Sequence, residues 1–375
     1  MTPSPSTRSS APPPYAARLT RLRQALRNAE VDSLLITNAN DIRYLTPFSG
    51  EDSAAILTGK KFVLISDSRF AEEVEPLGQW LDIALRTGPI ADKIGEVAGD
   101  LKVSRLGVQA EHVTVTQRRN VAKAVNGKSI TDTEGLLSTL RAVKDEVEVQ
   151  LIRRAVKCQQ LALKATLADL RLGQSEAEIA ARIEFEMKQL GADGCAFSTN
   201  VSAKANSSKP HYRPSERVKL TRGKPLLIDW GARVDGYCSD MTRTWAIGAM
   251  PRKMAEIYAI VLEAQLAGIA AIGPGASCKE VDAAARKIID DAGYGENYGH
   301  GLGHGLGLDV HESPSLSPRA GEKDVLKPGM VVTVEPGIYL PGIGGVRIED
   351  DVLVTDKGHR VLSDWPKGLE EAVLL

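Results

Sequence analysis

Four carboxylates in two glycine-punctuated segments constrain this chain more than any other feature. Asp229 and Asp240 lie in IDWGARVDGYCSDMTRTW, and Glu335 and Glu349 in VTVEPGIYLPGIGGVRIED. Within the pairs the spacings are 11 and 14 residues. Asp235-Gly236 sits between the first pair, and Pro341-Gly342 followed by Gly344-Gly345 between the second. Apolar and β-branched residues around such turn signals read as β-hairpins, so each pair can project from neighbouring strands onto one sheet face. Four carboxylates gathered on one face repel each other unless cations lie between them. With His304 the set becomes four hard oxygen ligands and one imidazole. That chemistry suits two divalent ions about 3.5–4 Å apart, activating a water between them.

The 375 residues are enough for two separately cored domains. A net charge of −1 with 25% charged residues leaves no basic footprint for nucleic acid or an anionic membrane surface. The most apolar helical stretch, 257-IYAIVLEAQLAGIAAIG, is broken by Glu263 and Gln265 and is not a membrane span. Residues 1–14 are rich in Pro and Ser, lack the apolar run of a secretory leader, and are expected to be a disordered tail. Cys158, Cys195, Cys238 and Cys278 form no CxxC pair, which points to the reducing cytosol. Cys238 lies two residues from Asp240, yet reads as a packed small hydrophobe.

Residues 15–137 alternate helical and strand patterns. A helix over Leu19 to Glu30 precedes strand candidates at 34-LLIT, near 55-AAILT, and at 62-FVLI, 83-IAL and 106-LGVQ. This predicts a small α/β domain without a catalytic cluster; Asp67-Ser68-Arg69 reads as a capped helix start. Residues 138–375 show helix, helix, carboxylate hairpin, and then the same order again. The first pair of helices carries Val149, Ile152, Val156, Leu163 and Leu167, then Ile179, Ile183, Met187 and Leu190 after a Ser175/Glu178 capping box. The second carries Ile257, Val261 and Ala264, then Val281, Ala285, Ile288 and Ile289 after Ser277/Glu280. An internal pseudo-repeat with a metal site at its seam follows. The segment 299-GHGLGHGLGLDVHE holds three of the six histidines. Its glycines do not follow the phosphate-binding spacing, and they read as places where the backbone comes close to a ligand or adopts positive φ.

From about Ala142 to the C-terminus the chain resembles the pita-bread metallopeptidases, which include methionine aminopeptidase, Xaa-Pro aminopeptidase and prolidase. The resemblance is carried by PHYRPS at 210–215, IDWGARVDGYCSDMTRT, GHGLGHGLGLDVHE, TVEPGIY and GGVRIEDD. PHYRPS and the GHG…VHE segment look like the proline-specific branch, and 41-DIRYLTPFSG with 65-ISDSRF is similar to that branch's accessory domain. The fold so implied is α+β: a C-terminal pita-bread domain, pseudo-two-fold with helices on a curved antiparallel sheet, and a smaller N-terminal α/β domain. The resemblance implies that Asp229 chelates one metal, that His304 and Glu335 chelate the other, and that Asp240 and Glu349 bridge both. Glu335 would also pass on the water proton. His211 and His311 would hold substrate and stabilise the oxyanion, His300 would line the proline side, and Arg347 would orient carboxylates. Tyr339 is a further lining candidate. Mn²⁺ is the expected ion, with Co²⁺, Zn²⁺ and Fe²⁺ also chemically suited, and a homodimer is implied by analogy.

Within the branch, aminopeptidases release the first residue of Xaa-Pro peptides and prolidases cleave only the dipeptide. Some dipeptidase relatives carry an arginine shortly after the HE-x-P segment; here Ser315 stands there, and the nearest arginine is Arg319. An unpaired buried substrate carboxylate is costly, so the aminopeptidase is the leading expectation and the prolidase its alternative. Metal-free creatinase-type hydrolysis and a non-catalytic peptide-binding module are further alternatives on the same fold.

Overall fold

The computed structural model describes residues 10–374, so the first nine residues of the expected tail lie outside it. The chain divides into two compact units, Met1–Arg141 and Ala142–Leu375. The expected boundary at 137/138 falls inside the helix Leu136–Ala142, which runs through the division.

The N-terminal unit carries α1 (Tyr15–Asn28), β1 (Ser33–Ile36), α2 (Ala39–Leu45), β2 (Ala54–Thr58), β3 (Phe62–Asp67) and α3 (Ala71–Val74). There follow β4 (Asp82–Arg86), α4 (Ile90–Asp100), β5 (Arg105–Gln109), α5 (Val115–Ala124), β6 (Ser129–Thr133) and α6 (Leu136–Ala142). Its six-stranded mixed sheet has the order β4-β3-β2-β1-β5-β6, antiparallel around β2 and parallel elsewhere. Asp67 caps the following helical turn, its carboxylate accepting from the Arg69 amide, while Arg69 and Arg86 pair with it. The expected helix cap is therefore what these residues form. Strand β6, SITDT, has too little apolar alternation to be read from sequence.

The C-terminal unit opens with α7 (Glu146–Ala168) and α8 (Glu176–Gln189), each started by a capping box, Asp145/Glu148 and Ser175/Glu178. Next come β7 (Gly194–Cys195), β8 (Asn200–Ala203), β9 (Pro225–Trp230), β10 (Ala232–Val234), β11 (Tyr237–Cys238) and β12 (Met241–Ile247). The second half repeats the plan with α9 (Arg252–Ala270), α10 (Cys278–Asp291), β13 (Gly303–Gly305), β14 (Glu312–Leu316), β15 (Val331–Val334), β16 (Gly337–Leu340), β17 (Gly344–Arg347) and β18 (Asp350–Thr355). Strands β19 (Gly358–Val361) and β20 (Val373–Leu374) close the unit. In the first half β8 pairs with β9 and β9 with β12; in the second β13 pairs with β15 and β15 with β18. The correspondence is the expected pseudo-repeat.

Each half has its own core. Leu226, Ile228, Trp230, Met241, Trp245 and Ile247 pack with α7 and α8, and Val332, Val334, Val346, Ile348, Val352 and Val354 pack with α9 and α10. Burying each such side chain is worth about 1.5–3 kcal/mol, enough to fix which face of each strand turns inward. Strand alternation then sends Asp229, Asp240, Thr242, Thr333, Glu335, Arg347, Glu349 and Asp351 to the opposite face. The two halves are tied by a fully buried pair, Arg243 to Asp350 at 2.7 Å, with Lys367 and Gln265 also bound to Asp350.

Candidate metal centre

Both hairpins break their ladders where the carboxylates stand. Pairing Asp229↔Thr242 continues through Trp230↔Met241, stops around Gly231 and Asp240, and resumes in the same register at Arg233↔Cys238. Its tip is a two-residue turn at Asp235 (φ 48°) and Gly236 (φ 80°), both left-handed. In the second hairpin Val334↔Asp350 precedes the break and Gly337↔Arg347 follows it, so Glu335 and Glu349 face each other across the gap. A broken ladder lets backbone and side chains adjust to a ligand without shifting the strands on either side.

Asp240, His304 and Glu349 place one potential ligand atom each within 4.8 Å of one another. His304 Nε2 is 3.4 Å from Glu335 Oε1 and 3.8 Å from Asp240 Oδ2. Its Nδ1–H donates to the Gly305 carbonyl (3.1 Å), leaving the Nε2 lone pair aimed at the carboxylates. Burial, and then His311, lower the His304 pKa to about 4, so the ring is neutral at pH 7. Asp229 shares the same cleft and accepts from Arg347 Nη2 at 2.5 Å.

Burial raises the pKa of Asp240 and Glu349 well above the usual carboxylate range; Glu349 and Asp229 add to the first effect, and Glu335 and Asp229 to the second. Glu335 is pushed up to about 8, chiefly by burial. Asp229 is also raised by burial, against the pull of Arg347 and His211. These carboxylates repel one another when ionised, and divalent cations held among them, with the imidazole lone pair as a further donor, relieve that repulsion. Hard oxygens with one imidazole are the donors such ions prefer.

Arg347 organises the surrounding side chains. It donates to Asp229, to Thr242 Oγ1 (2.9 Å), to Tyr339 Oη (2.9 Å) and to the Pro210 carbonyl (3.3 Å). Thr242 passes this on, its hydroxyl donating to Glu349 Oε2 at 2.7 Å. His300 Nδ1 donates to the Gly301 carbonyl (2.8 Å), so Nε2 accepts from the Tyr339 hydroxyl at 3.0 Å. Tyr339 is buried and is not among the residues that line the cleft; contrary to expectation, it stands behind His300 and Arg347. The His311 ring lies 4.2 Å from that of His304, and its loop is anchored by a buried Lys144–Glu312 pair at 3.0 Å. His211 is exposed at the cleft wall.

Gly301, Gly303, Gly305 and Gly307 serve close approach, to neighbouring protein atoms rather than to a ligand, while Gly299 faces open space. A Cβ on Gly303 would lie 2.0 Å from the Thr333 carbonyl oxygen, and one on Gly305 would lie 2.2 Å from that of Ser313. None of the glycines in that segment has positive φ, so the alternative reading falls away. Cys238 is buried against the Leu308 carbonyl, and burial pushes its thiol up to about 11, as suits a packed hydrophobe.

Sequence reading missed several residues here. Thr199 and Asn200 line the cleft, as does the exposed Arg213, within PHYRPS. Asp351 accepts from the Asp240 amide (3.1 Å), and Thr242 and Thr333 steady Glu349 and Glu335. Thr242, Thr333 and Asp351 could have been found by extending strand alternation from the ligands. The cleft measures about 1480 Å³ and takes in Asp229, Asp240, His211, His300, His304, His311, Glu335, Arg347 and Glu349.

Residues 150–356 match the metallopeptidase family M24, and residues 18–143 match the creatinase/prolidase N-terminal domain. The chain belongs to metallopeptidase family M24, with the pita-bread fold in its C-terminal unit. It is 36% identical to the uncharacterised peptidase YqhT of Bacillus subtilis, over 94% of this chain and 99% of that protein. Among solved structures, it resembles an Xaa-Pro dipeptidase from Bacillus anthracis (38% identity, TM-score 0.91, covering 96% and 100% of the two chains). It also resembles an X-Pro aminopeptidase from Thermotoga maritima MSB8 (33%, TM-score 0.85, 94% and 99%).

Proposed function

We propose that the protein hydrolyses the bond between a first residue and a following proline, as an Xaa-Pro aminopeptidase using two divalent ions, Mn²⁺ foremost. The carrying observation is the set of four carboxylates, Asp240 and Glu349 buried and Asp229 and Glu335 partly so, with a neutral imidazole aimed at them. Asp229 would hold one ion, His304 and Glu335 the other, and Asp240 and Glu349 both. When bound, the cations supply Lewis acidity that acidifies the attacking water and polarises the scissile carbonyl. Glu335 takes the water's proton and returns it to the leaving proline nitrogen. His311, kept neutral by burial and by His211, donates from its ring to the carbonyl oxygen as charge develops. His211 supports it from the cleft wall, and His300 packs the proline side with its tautomer set by Gly301.

Specificity for longer peptides is supported by Ser315, which lines the cleft where a dipeptidase arginine would stand, and by Arg347, whose guanidinium is committed to four partners. Two observations favour the dipeptidase reading: Arg213 lines the cleft without an ion-pair partner among the described residues, and the Bacillus anthracis Xaa-Pro dipeptidase is more similar to this chain than the Thermotoga maritima aminopeptidase. Among the described residues no helix is long and apolar enough to cross a membrane, and the four cysteines are free. A cytoplasmic homodimer belongs to the same proposal.

The test is mass-spectrometric, with Mn²⁺-loaded protein and an equimolar mixture of an Xaa-Pro dipeptide and an Xaa-Pro-Xaa tripeptide. Release of the first residue from the tripeptide is expected. Cleavage of the dipeptide alone would replace the aminopeptidase by a prolidase, and hydrolysis that survives chelation would point to creatinase-type chemistry.

A further inference from the structure

Strand β8 contributes a polar feature that the metal chemistry does not use. Asn200 is the direct cross-strand partner of Asp229, so both side chains rise from the same face of the sheet, and both line the cleft. Asn200 is 4% exposed and Thr199 is 3% exposed. The Asn200 amide nitrogen donates to the Pro210 carbonyl at 3.2 Å, the same carbonyl that Arg347 binds. This bond fixes the amide's orientation and leaves Oδ1 as a buried acceptor with no partner. An unsatisfied buried polar atom costs about 1–3 kcal/mol, so Oδ1 in a cleft wall marks a place where something else completes the bonding.

We propose that Asn200 Oδ1 receives the free amino terminus of the substrate. This rests on the exopeptidase reading above and adds the group that makes it an exopeptidase. The ligand must donate, because Oδ1 can only accept. It must also be constant among substrates, because the acceptor sits on a rigid strand. The amino terminus meets both conditions, whereas the first side chain varies. Asp229, the neighbouring acceptor, is already engaged by Arg347 and by its expected metal role. A neutral acceptor also suits an amino group beside two cations, since it binds the uncharged amine without adding charge.

The experiment compares Ala-Pro-Ala with its desamino counterpart propionyl-Pro-Ala on Mn²⁺-loaded wild type, Asn200→Leu and Asn200→Asp. Wild type should prefer the free amine. Asn200→Leu should lose roughly ten- to hundred-fold in kcat/KM on Ala-Pro-Ala, with the desamino rate and metal content unchanged. Asn200→Asp, which keeps an acceptor but gives up the donor to Pro210 and adds charge, should fall between wild type and Asn200→Leu. Equal losses on both peptides, no loss on either, or a fall in metal content would overturn the subsite. If wild type hydrolyses neither peptide, the proposed reaction fails instead. Calorimetric binding of the two intact peptides then reads the subsite directly: tighter binding of the free amine that Asn200→Leu removes sustains it, and equal or absent binding rejects it.

Discussion

The hairpin built from β9 to β12 and the one built from β15 to β18 break at corresponding places, yet they compensate their carboxylates differently. In the first, Asp229 remains within the paired ladder and meets the Arg347 guanidinium at 2.5 Å. In the second, Glu335 and Glu349 oppose each other across the gap, and Glu349 receives a neutral Thr242 hydroxyl. Asp240, in the first gap, has Asp351 and Glu349 as its charged neighbours. Asp229, expected to hold one metal, has a built-in cation; Asp240 and Glu349, expected to touch both, have none, and Glu335 has none either. The protein itself neutralises part of the site and leaves the shared ligands to depend on metal.

The largest expected effect tests that division. Asp240→Ala or Glu349→Ala should reduce peptidase activity to background at saturating Mn²⁺, because each removes a ligand shared by both ions. Asp229→Ala should instead retain part of the metal, measured by plasma emission on gel-filtered protein. Near-normal turnover in either bridging variant would end the two-metal reading, and identical metal losses in all three would erase the distinction between the hairpins.

A smaller effect is expected at His311, which contacts the ligand His304 without belonging to the carboxylate set. His311→Ala should lower kcat by roughly 10²–10³-fold, the usual loss of one oxyanion donor, with metal content unchanged. Metal loss in proportion to rate would move His311 from transition-state stabilisation to ligand support.

The metal-free protein should reveal the uncompensated charges through pH. Glu335 is raised from 4.5 to about 8, and Asp240 and Glu349 are raised as well, so the folded state binds more protons than the unfolded chain. Their stabilisation is complete at low pH and is lost as pH rises through about 8. His300 and His304 act oppositely, being lowered from 6.5 to about 4, and their gain is largely complete above 6.5. Melting temperature of the chelated protein should therefore fall between pH 6.5 and 8, and added Mn²⁺ should reverse the fall. A flat profile would mean that the carboxylates are compensated without metal.

Much of this arrangement was legible because it is local. Asp235-Gly236 announces its turn, capping boxes announce α7's neighbour α8, and glycines in 299–307 announce tight backbone packing. Ligand types at the right intervals carried the metal chemistry. Less legible were features that exist only between strands. Asn200 sits in NVSA, which reads as a short strand, and only its register opposite Asp229 gives it meaning. Tyr339 looked like a wall residue because it follows a ligand segment, but the bonds it makes to His300 and Arg347 hold it behind the wall. The second ladder break does carry a signal, Pro336, which has no N–H to give to a ladder, whereas the first is marked only by Gly231.

The smallest effect asks whether a hairpin's tip and its ligands are separable. Gly236 has φ 80° beside Asp235 at 48°, and its amide donates to Asp193 Oδ2 at 2.7 Å. An alanine there must adopt the left-handed conformation, at a cost of about 1 kcal/mol. Gly236→Ala should therefore lower the unfolding free energy by that amount, read from the shift of the denaturation midpoint. Activity should hold, because Asp229 is fixed by pairing with both Asn200 and Thr242, on the far side of the break from the turn. Gly342, at φ 79° in the longer second loop, offers the matched substitution. There the break carries both Glu335 and Glu349, so any strain that crosses it reaches two ligands instead of one. Loss of kcat in Gly342→Ala but not in Gly236→Ala would show that the second hairpin transmits its tip to the metal site and the first does not; loss in both would show that register on the near side is insufficient to hold a ligand.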